Sequence, residues 1–185
     1  GNVQPWRIYA IAGKRVDELK SLLAPRMNEL PKAEGGDYRI FPEMEEPYRG
    51  RRFEVGEMLY RSIEVPRADK PARYRQYARN FQFFGAPVGL FFALDRTFGL
   101  AQWADIGGFL QTVMLLARGH GLHTCPQQAW VSWHKTVRGF LDLPDPLMIY
   151  SGMALGYADE AAAINNWRSP RAPLDEFATF SGFDG

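Results

Sequence analysis

Residues 103–130 read WADIGGFLQTVMLLARGHGLHTCPQQAW. From Ile106 to Ala117 the apolar residues fall on nearly every face of a 3.6-residue repeat. A helix with that pattern is buried, at the centre of a domain, in a subunit interface, or both. Gly119 and Gly121 supply its C-terminal stop. Gly107 and Gly108 sit in its first turns, where each costs about 1 kcal/mol against alanine. The expected return is close approach by something flat or bulky. Beyond the stop come Cys125, Pro126 and two adjacent glutamines, Gln127 and Gln128. A buried amide needs polar partners, so these glutamines either turn to solvent or have something polar against them.

The flanking sequence supplies the layers that such a helix packs on. WRIYAIAG (6–13) alternates weakly and ends at glycine, which predicts a strand. Residues 16–30 predict an amphipathic helix with Val16, Leu19, Leu22 and Leu23 inward, kinked or ended at Pro25. Residues 31–50 mix Gly, Pro and charge and read as an exposed loop, the least ordered stretch. Helices are expected over 51–65 and 70–85, the second with a basic face that reads as solvated. The run APVGLFFALD (86–95) predicts a strand covered on both faces. A further amphipathic helix is expected over 132–143 and a strand with small residues over 147–159. The tail from Ile164 is irregular and Pro-rich, like an arm that packs on something else. The order strand, helices, strand, helix, helix, strand, arm gives an α+β class, with a modest sheet and long helices.

Composition narrows the function classes. The 185 residues are 46% hydrophobic and 23% charged, which is ordinary for one globular domain. A net charge of +1 gives no electrostatic reason to expect nucleic acid. The single cysteine excludes an intrachain disulfide and fits a reducing compartment, so a cytoplasmic location is expected. The longest apolar runs are too short to span a bilayer. The chain opens on GNVQPWR without an initiator Met, which reads like the middle of something, so an upstream segment is expected to be missing.

The side chains offer little chemistry of their own. His120, His123, His134 and Cys125 lack the spacing of a zinc site, and no metal is expected. Cys125 beside a histidine is a possible thiolate pair, but a lone cysteine is usually an inert small hydrophobe, and Pro126 directly after it suggests a tight structural turn. Ser-hydrolase, P-loop and dinucleotide motifs are missing. A bound cofactor that carries the chemistry explains polar amides beside an apolar helix, and an Arg-rich tail could neutralise its phosphate.

Four segments carry a resemblance. GNVQPWRIYAIAG resembles the N-x-Q-P-W segment that leads into the first strand of the nitroreductase family of flavin enzymes. FGAPVGLFFALDR resembles that family's apolar central strand. The 103–130 stretch resembles its central helix and following loop, and NNWRSPRAPLDEF its C-terminal arm. The order of the four is more specific than any one alone. Where the P-I-E-G-F form of the loop carries an acidic residue, this chain has glutamine. The family's opening Arg-x-Ser-x-Arg segment is absent from this sequence.

The resemblance implies a mixed sheet flanked by long helices, residues 1–185 forming a single domain, and an intertwined homodimer with FMN at its interface. It implies that Asn2 and Gln4 meet the flavin from the partner subunit. Pro126, Gln127, Gln128 and Ala129 would lie along the ring, with a main-chain N–H near Gln128 or Ala129 at the flavin N5 edge. Arg171, or Arg168, would hold the phosphate. No catalytic side chain is implied. NADH or NADPH would pass a hydride to the flavin, and a nitroaromatic, quinone or similar acceptor would be reduced in a ping-pong cycle. An FMN-binding or storage protein without turnover, or a branch with different flavin chemistry, fits the same resemblance. Asp105 is expected to stabilise the start of the central helix. The two tyrosines and one phenylalanine of 31–50 are candidates for shaping a substrate site.

Overall fold

The central strand is where apolar alternation is clearest. In β2 (Val88–Asp95), Phe91 and Ala93 face one way, Phe92 and Leu94 the other, and all four are buried. A strand sends successive side chains to opposite faces, so both faces must be covered, as the sequence predicts. A computed structural model describes residues 1–30 and 33–183; Pro31 and Lys32 of the predicted 31–50 loop lie outside the described residues.

β2 is flanked by β1 (Arg7–Ala12) and by β4 (Leu147–Gly156), and β4 pairs in turn with β3 (His123–Gln127), giving the order β1-β2-β4-β3. All three pairings are antiparallel, where the resemblance implies a mixed sheet. The reason is topological. β2 and β3 run in the same direction, joined through helix α4 (Leu100–Gly119), but β4 inserts between them. No two parallel strands are neighbours among the described residues.

One face of the sheet holds α1 (Lys14–Leu23) and α5 (His134–Leu141), with Val16, Leu19, Leu23, Trp130, Trp133 and Val137 buried against Phe91, Ala93, Ile149 and Ala154. Leu22, predicted inward, is exposed. α1 ends before Pro25, and a 3₁₀ turn over Ala24–Glu29 follows. Two strand glycines make room on this face. A Cβ on Gly89 would lie 2.3 Å from the Phe83 ring, and one on Gly152 would lie 2.3 Å from Trp130. Those two rings stack on each other at 4.7 Å, so glycine in the strands marks the close approach of large aromatics.

The opposite face holds α4. Ile106, Leu110 and Ala117 are buried, and Ile106 and Leu110 pack on Phe92, Leu94, Met148 and Met153. The sheet covers only one stripe of the helix. Leu115 and Leu116 remain 63% and 62% exposed, so burial on all sides is not reached within one chain. A Cβ on Gly107 would meet the Tyr150 hydroxyl at 3.9 Å, while Gly108 faces open space. The helix starts at Leu100, three residues earlier than predicted. Asp105 therefore falls in its second turn, exposed, and not at the helix start.

The chain divides into two compact units. The one just described takes residues up to Glu43 with Pro71–Ala158; it includes most of α3 (Lys70–Ala78) and a kinked 3₁₀ stretch over Arg79–Gly85. The second joins Met44–Lys70 to the chain from Asp159 onward. It holds α2 (Tyr48–Ser62), a 3₁₀ turn over Ala163–Asn165 and α6 (Leu174–Phe177). Arg51 pairs with Glu176 there, and the Arg67 guanidinium lies 4.8 Å above the Phe53 ring. No helix among the described residues is long and apolar enough to cross a membrane.

Candidate functional site

The stretch after α4 is a strand, where the sequence suggests a turn. β3 pairs only with β4, so Pro126 sits on a sheet edge, where a missing N–H is tolerated, opposite Met153. The end of β3 separates the two glutamines. Gln127 points inward and is 2% exposed. Its Nε2 donates to the Asn80 carbonyl at 2.8 Å and lies 3.3 Å from Asn80 Oδ1, and its Oε1 accepts the Trp130 indole N–H at 3.4 Å. Both ends of this amide are used inside the protein. The side chain of Gln127 is a core lock on Trp130, not a group on offer to a ligand.

Gln128 is exposed and opens a 3₁₀ turn over Gln128–Trp133, with Ala129 half-buried behind it. The first N–H groups of such a turn are not used by the turn itself. Gln128 Nε2 reaches the Tyr38 hydroxyl at 3.5 Å.

Tyr38 belongs to a stretch, 33–38, that sequence reading takes for exposed loop and that is built into the molecule instead. Glu34 N–H donates to Ser132 O at 2.9 Å. The Glu34 carboxylate caps α5, accepting the main-chain N–H groups of Lys135 at 2.8 Å and Thr136 at 3.0 Å, the Thr136 hydroxyl, and Arg26 at 3.0 Å. Burial pushes this carboxyl up, but the Thr136, Arg26 and Lys135 hydrogen bonds outweigh it and hold it below the usual glutamate range. Gly36 has φ +140°, and a Cβ there would meet Val131 at 2.9 Å. The Asp37 carboxylate, 6% exposed, receives Arg96 at 2.6 Å and lies 3.2 Å from His134 Nδ1. His134 Nε2 donates to the Glu34 carbonyl at 3.3 Å.

Tyr38 ends the stretch. Its hydroxyl donates to the Tyr150 carbonyl at 2.5 Å. Phe92 pairs with Ser151 and Ala93 with Ile149, so Tyr150 is the extra residue of a β-bulge in β4. Bulges leave a residue out of the ladder and re-aim side chains. The Tyr38 ring meets Trp103 of α4 edge-on at 4.9 Å, and Trp103 meets Tyr150 at 5.6 Å. Burial and the neighbouring Tyr150 phenol push the Tyr38 phenol well above its ordinary value, so it stays a hydrogen-bond donor.

The N-terminal candidates lie beside a firm anchor. Pro5 is buried, and Trp6 stacks on Phe109 of α4 at 4.6 Å. Asn2 and Gln4 are exposed, with φ +58° and +52°, and Gln4 Nε2 donates to Asn2 Oδ1 at 3.0 Å. Left-handed backbone at non-glycine residues costs about 1–2 kcal/mol each and clusters at functional sites. No hydrogen bond joins this pair to Gln127 or Gln128. Arg168 and Arg171 lie in the second unit. Arg168 bonds the main-chain carbonyls of Asn165 and Trp167. Arg171 bonds the carbonyls of Ser169 and Pro170 and the Ser169 hydroxyl. Neither is neutralised by a carboxylate among the described residues.

The alternatives read differently in space. Burial pushes the Cys125 thiol up, which disfavours the thiolate that nucleophilic chemistry needs. His123 Nδ1 accepts the Ala158 N–H at 3.2 Å. No three His, Cys, Asp or Glu side chains among the described residues are placed to hold a metal. Of the aromatic candidates of 31–50, Tyr38 is fixed by Tyr150 and Trp103, while Phe41 and Tyr48 are exposed; the anchoring of the 33–38 stretch and the β4 bulge are not foreseen in the sequence. The Gly35-Gly36 pair before an Asp-Tyr was the signal for the first; nothing in the sequence marks the second.

Comparison with known proteins converges on one family. The model of the nitroreductase family matches residues 1–157. The 4-nitrobenzoate reductase of Pseudomonas putida is 40% identical over 183 residues, spanning 99% of this chain and 80% of that protein. The chloronitrobenzene nitroreductase of Comamonas testosteroni is 39% identical over 180 residues, 97% of this chain and 79% of its own length. The crystal structure of the FMN- and NADPH-dependent nitroreductase NfnB from Sphigopyxis sp. strain HMH superposes with a TM-score of 0.94 at 42% identity, covering 99% of this chain and 82% of that one. The chain belongs to the nitroreductase family.

Proposed function

We propose that this protein is an FMN-dependent oxidoreductase that takes a hydride from NADPH or NADH and reduces nitroaromatic compounds by a ping-pong cycle, with quinones or similar electron-poor molecules as further acceptors. The observation that carries this reading is the pairing of two exposed amides, Asn2 and Gln4, held at 3.0 Å in left-handed backbone beside the buried Pro5. Strain at exposed amides with no structural partner beyond each other fits residues kept to hold a polar ring edge.

The remaining groups fit FMN as well. Gln128 and Ala129 would offer main-chain N–H groups to the ring, and Pro126 would lie beside it. Gln127 would act only through its backbone, since its side chain is occupied by Asn80 and Trp130. Arg168 and Arg171, bonded only to neighbouring main chain and Ser169, leave guanidinium charge for the phosphate. When bound, FMN supplies hydride transfer between nicotinamide and acceptor, so the protein needs no nucleophile or general acid of its own. Its residues would hold the ring through Asn2, Gln4 and the Gln128 turn and would anchor the phosphate through Arg168 or Arg171.

The proposal takes residues 1–185 as a single domain of the family that pairs with a second copy. Leu115 and Leu116 on α4, both exposed in one chain, would be covered across that dimer, and FMN is proposed to bind at its interface. The cytoplasm, where reduced nicotinamides are held, is the proposed location. Initial rates with NADPH and 4-nitrobenzoate test the cycle. Parallel double-reciprocal lines are expected; intersecting lines, or no nitro-dependent NADPH oxidation, contradict it.

A further inference from the structure

The stretch 33–38 runs alongside the turn that begins at Gln128 and touches it at successive points. Glu34 N–H bonds Ser132 O at 2.9 Å. Gly36 lies so close to Val131 that a Cβ would come within 2.9 Å. Asp37 faces His134 at 3.2 Å, and the Tyr38 hydroxyl meets the Gln128 side chain at 3.5 Å. Tyr38 ends this strap and ties it to the sheet. Its hydroxyl donates to the bulge carbonyl of Tyr150, and its ring is held edge-on by Trp103.

We infer that Tyr38 is a positioning residue of the proposed site: by tying the strap to the β4 bulge, it fixes the turn at Gln128 and so the direction of the Gln128 and Ala129 main-chain N–H groups. The inference rests on the proposed function for its chemistry, but its mechanical part does not need the cofactor. The geometry decides the role. Gln128 is exposed and bonded only at 3.5 Å, at the outer limit for a hydrogen bond, so it cannot fix the turn itself. The strap contacts the turn on its inner side, and Tyr38 closes the strap onto the sheet. A group that supports the residues facing a ligand governs how well they are preorganised, and misplacement by about 1 Å can cost on the order of a hundredfold in rate.

The test uses Tyr38→Phe, which keeps the ring and removes the hydroxyl, and Gln128→Ala, alone and together, with Lys14→Ala on the outer surface of α1 as a control. In flavin-free protein, amide hydrogen exchange over residues 126–134 is expected to speed up about tenfold in Tyr38→Phe, and not in Lys14→Ala. In FMN-loaded protein, Tyr38→Phe is expected to shift the flavin midpoint potential and slow reduction by NADPH about tenfold or more. KM for the nitro compound should move less than kcat. Gln128→Ala on the Tyr38→Phe background should add little, because both act on one turn. Unchanged exchange in Tyr38→Phe overturns the strap as support. Faster exchange with an unchanged potential and reduction rate overturns its role towards the cofactor. Wild-type protein that takes up no FMN overturns the proposed function and, with it, that role, and is distinguished from the other outcomes because it occurs before any substitution is made.

Discussion

Gln127 and Gln128 are neighbours with opposite fates. The end of β3 lies between them: Gln127 closes the strand and turns into the core, and Gln128 opens the 3₁₀ turn and faces out. A buried amide needs partners, but which of the two lies inside depends on where β3 ends, and Pro126 suggests a turn there instead of a strand. The partner of Gln127, Asn80, is 47 positions away, a distance over which local pattern carries no information. Gln127→Ala would strand the Trp130 indole N–H and the Asn80 carbonyl in the interior. Urea denaturation should show a loss of about 2–3 kcal/mol. Gly152→Ala should cost about 3 kcal/mol, since the new Cβ would lie 2.3 Å from a fully buried Trp130; near-wild-type stability would show that the ring has room to move. The N-x-Q-P-W resemblance singles out Asn2 and Gln4 as candidates. Their hydrogen bond and left-handed backbone are not foreseen in it, because neither residue is the glycine that usually announces such a backbone.

At the scale of elements, helices α1 to α5 and strands β1, β2 and β4 follow from apolar pattern, the short α6 lies in a tail that reads as irregular, and Pro25 does end α1. β3 was missed because it is short, lies on an edge and contains proline, which argues against a central strand but not against an edge. The 33–38 strap was missed because Gly and charge look like loop, while the charges are in fact buried and paired. Glu34 makes this testable. Its folded-state carboxyl sits below the usual value of about 4.3, so the unfolded chain takes up the proton first. The stabilisation is complete above about pH 4.3 and is lost as the pH falls through the lower, folded value. Glu34→Gln should reduce stability at pH 7 by about 1–2 kcal/mol, as loss of a helix cap does. It should also flatten the acid limb of the thermal stability profile. An acid limb identical to wild type would mean that Glu34 does not hold α5.

For the whole molecule, the α+β class was legible and the pairing pattern was not. The insertion of β4 between β2 and β3 depends on long-range packing. The apolar circumference of α4 predicts burial on nearly every side, yet one chain covers only the stripe through Ile106, Leu110 and Ala117 and leaves Leu115 and Leu116 exposed. The proposed dimer accounts for the rest. Leu115→Lys with Leu116→Lys should give monomers by sedimentation velocity and weaken FMN binding at least tenfold; a dimer that survives both changes would place the interface elsewhere. The proposed cofactor is the claim on which site, strap and dimer all bear. It is tested most directly by an absorption spectrum of the purified protein loaded with FMN, followed by anaerobic addition of NADPH or NADH and then of 4-nitrobenzoate. Flavin bands that bleach with the nicotinamide and return with the nitro compound are the predicted result. Protein that binds no FMN, or bound FMN that neither nicotinamide can bleach, would contradict the account.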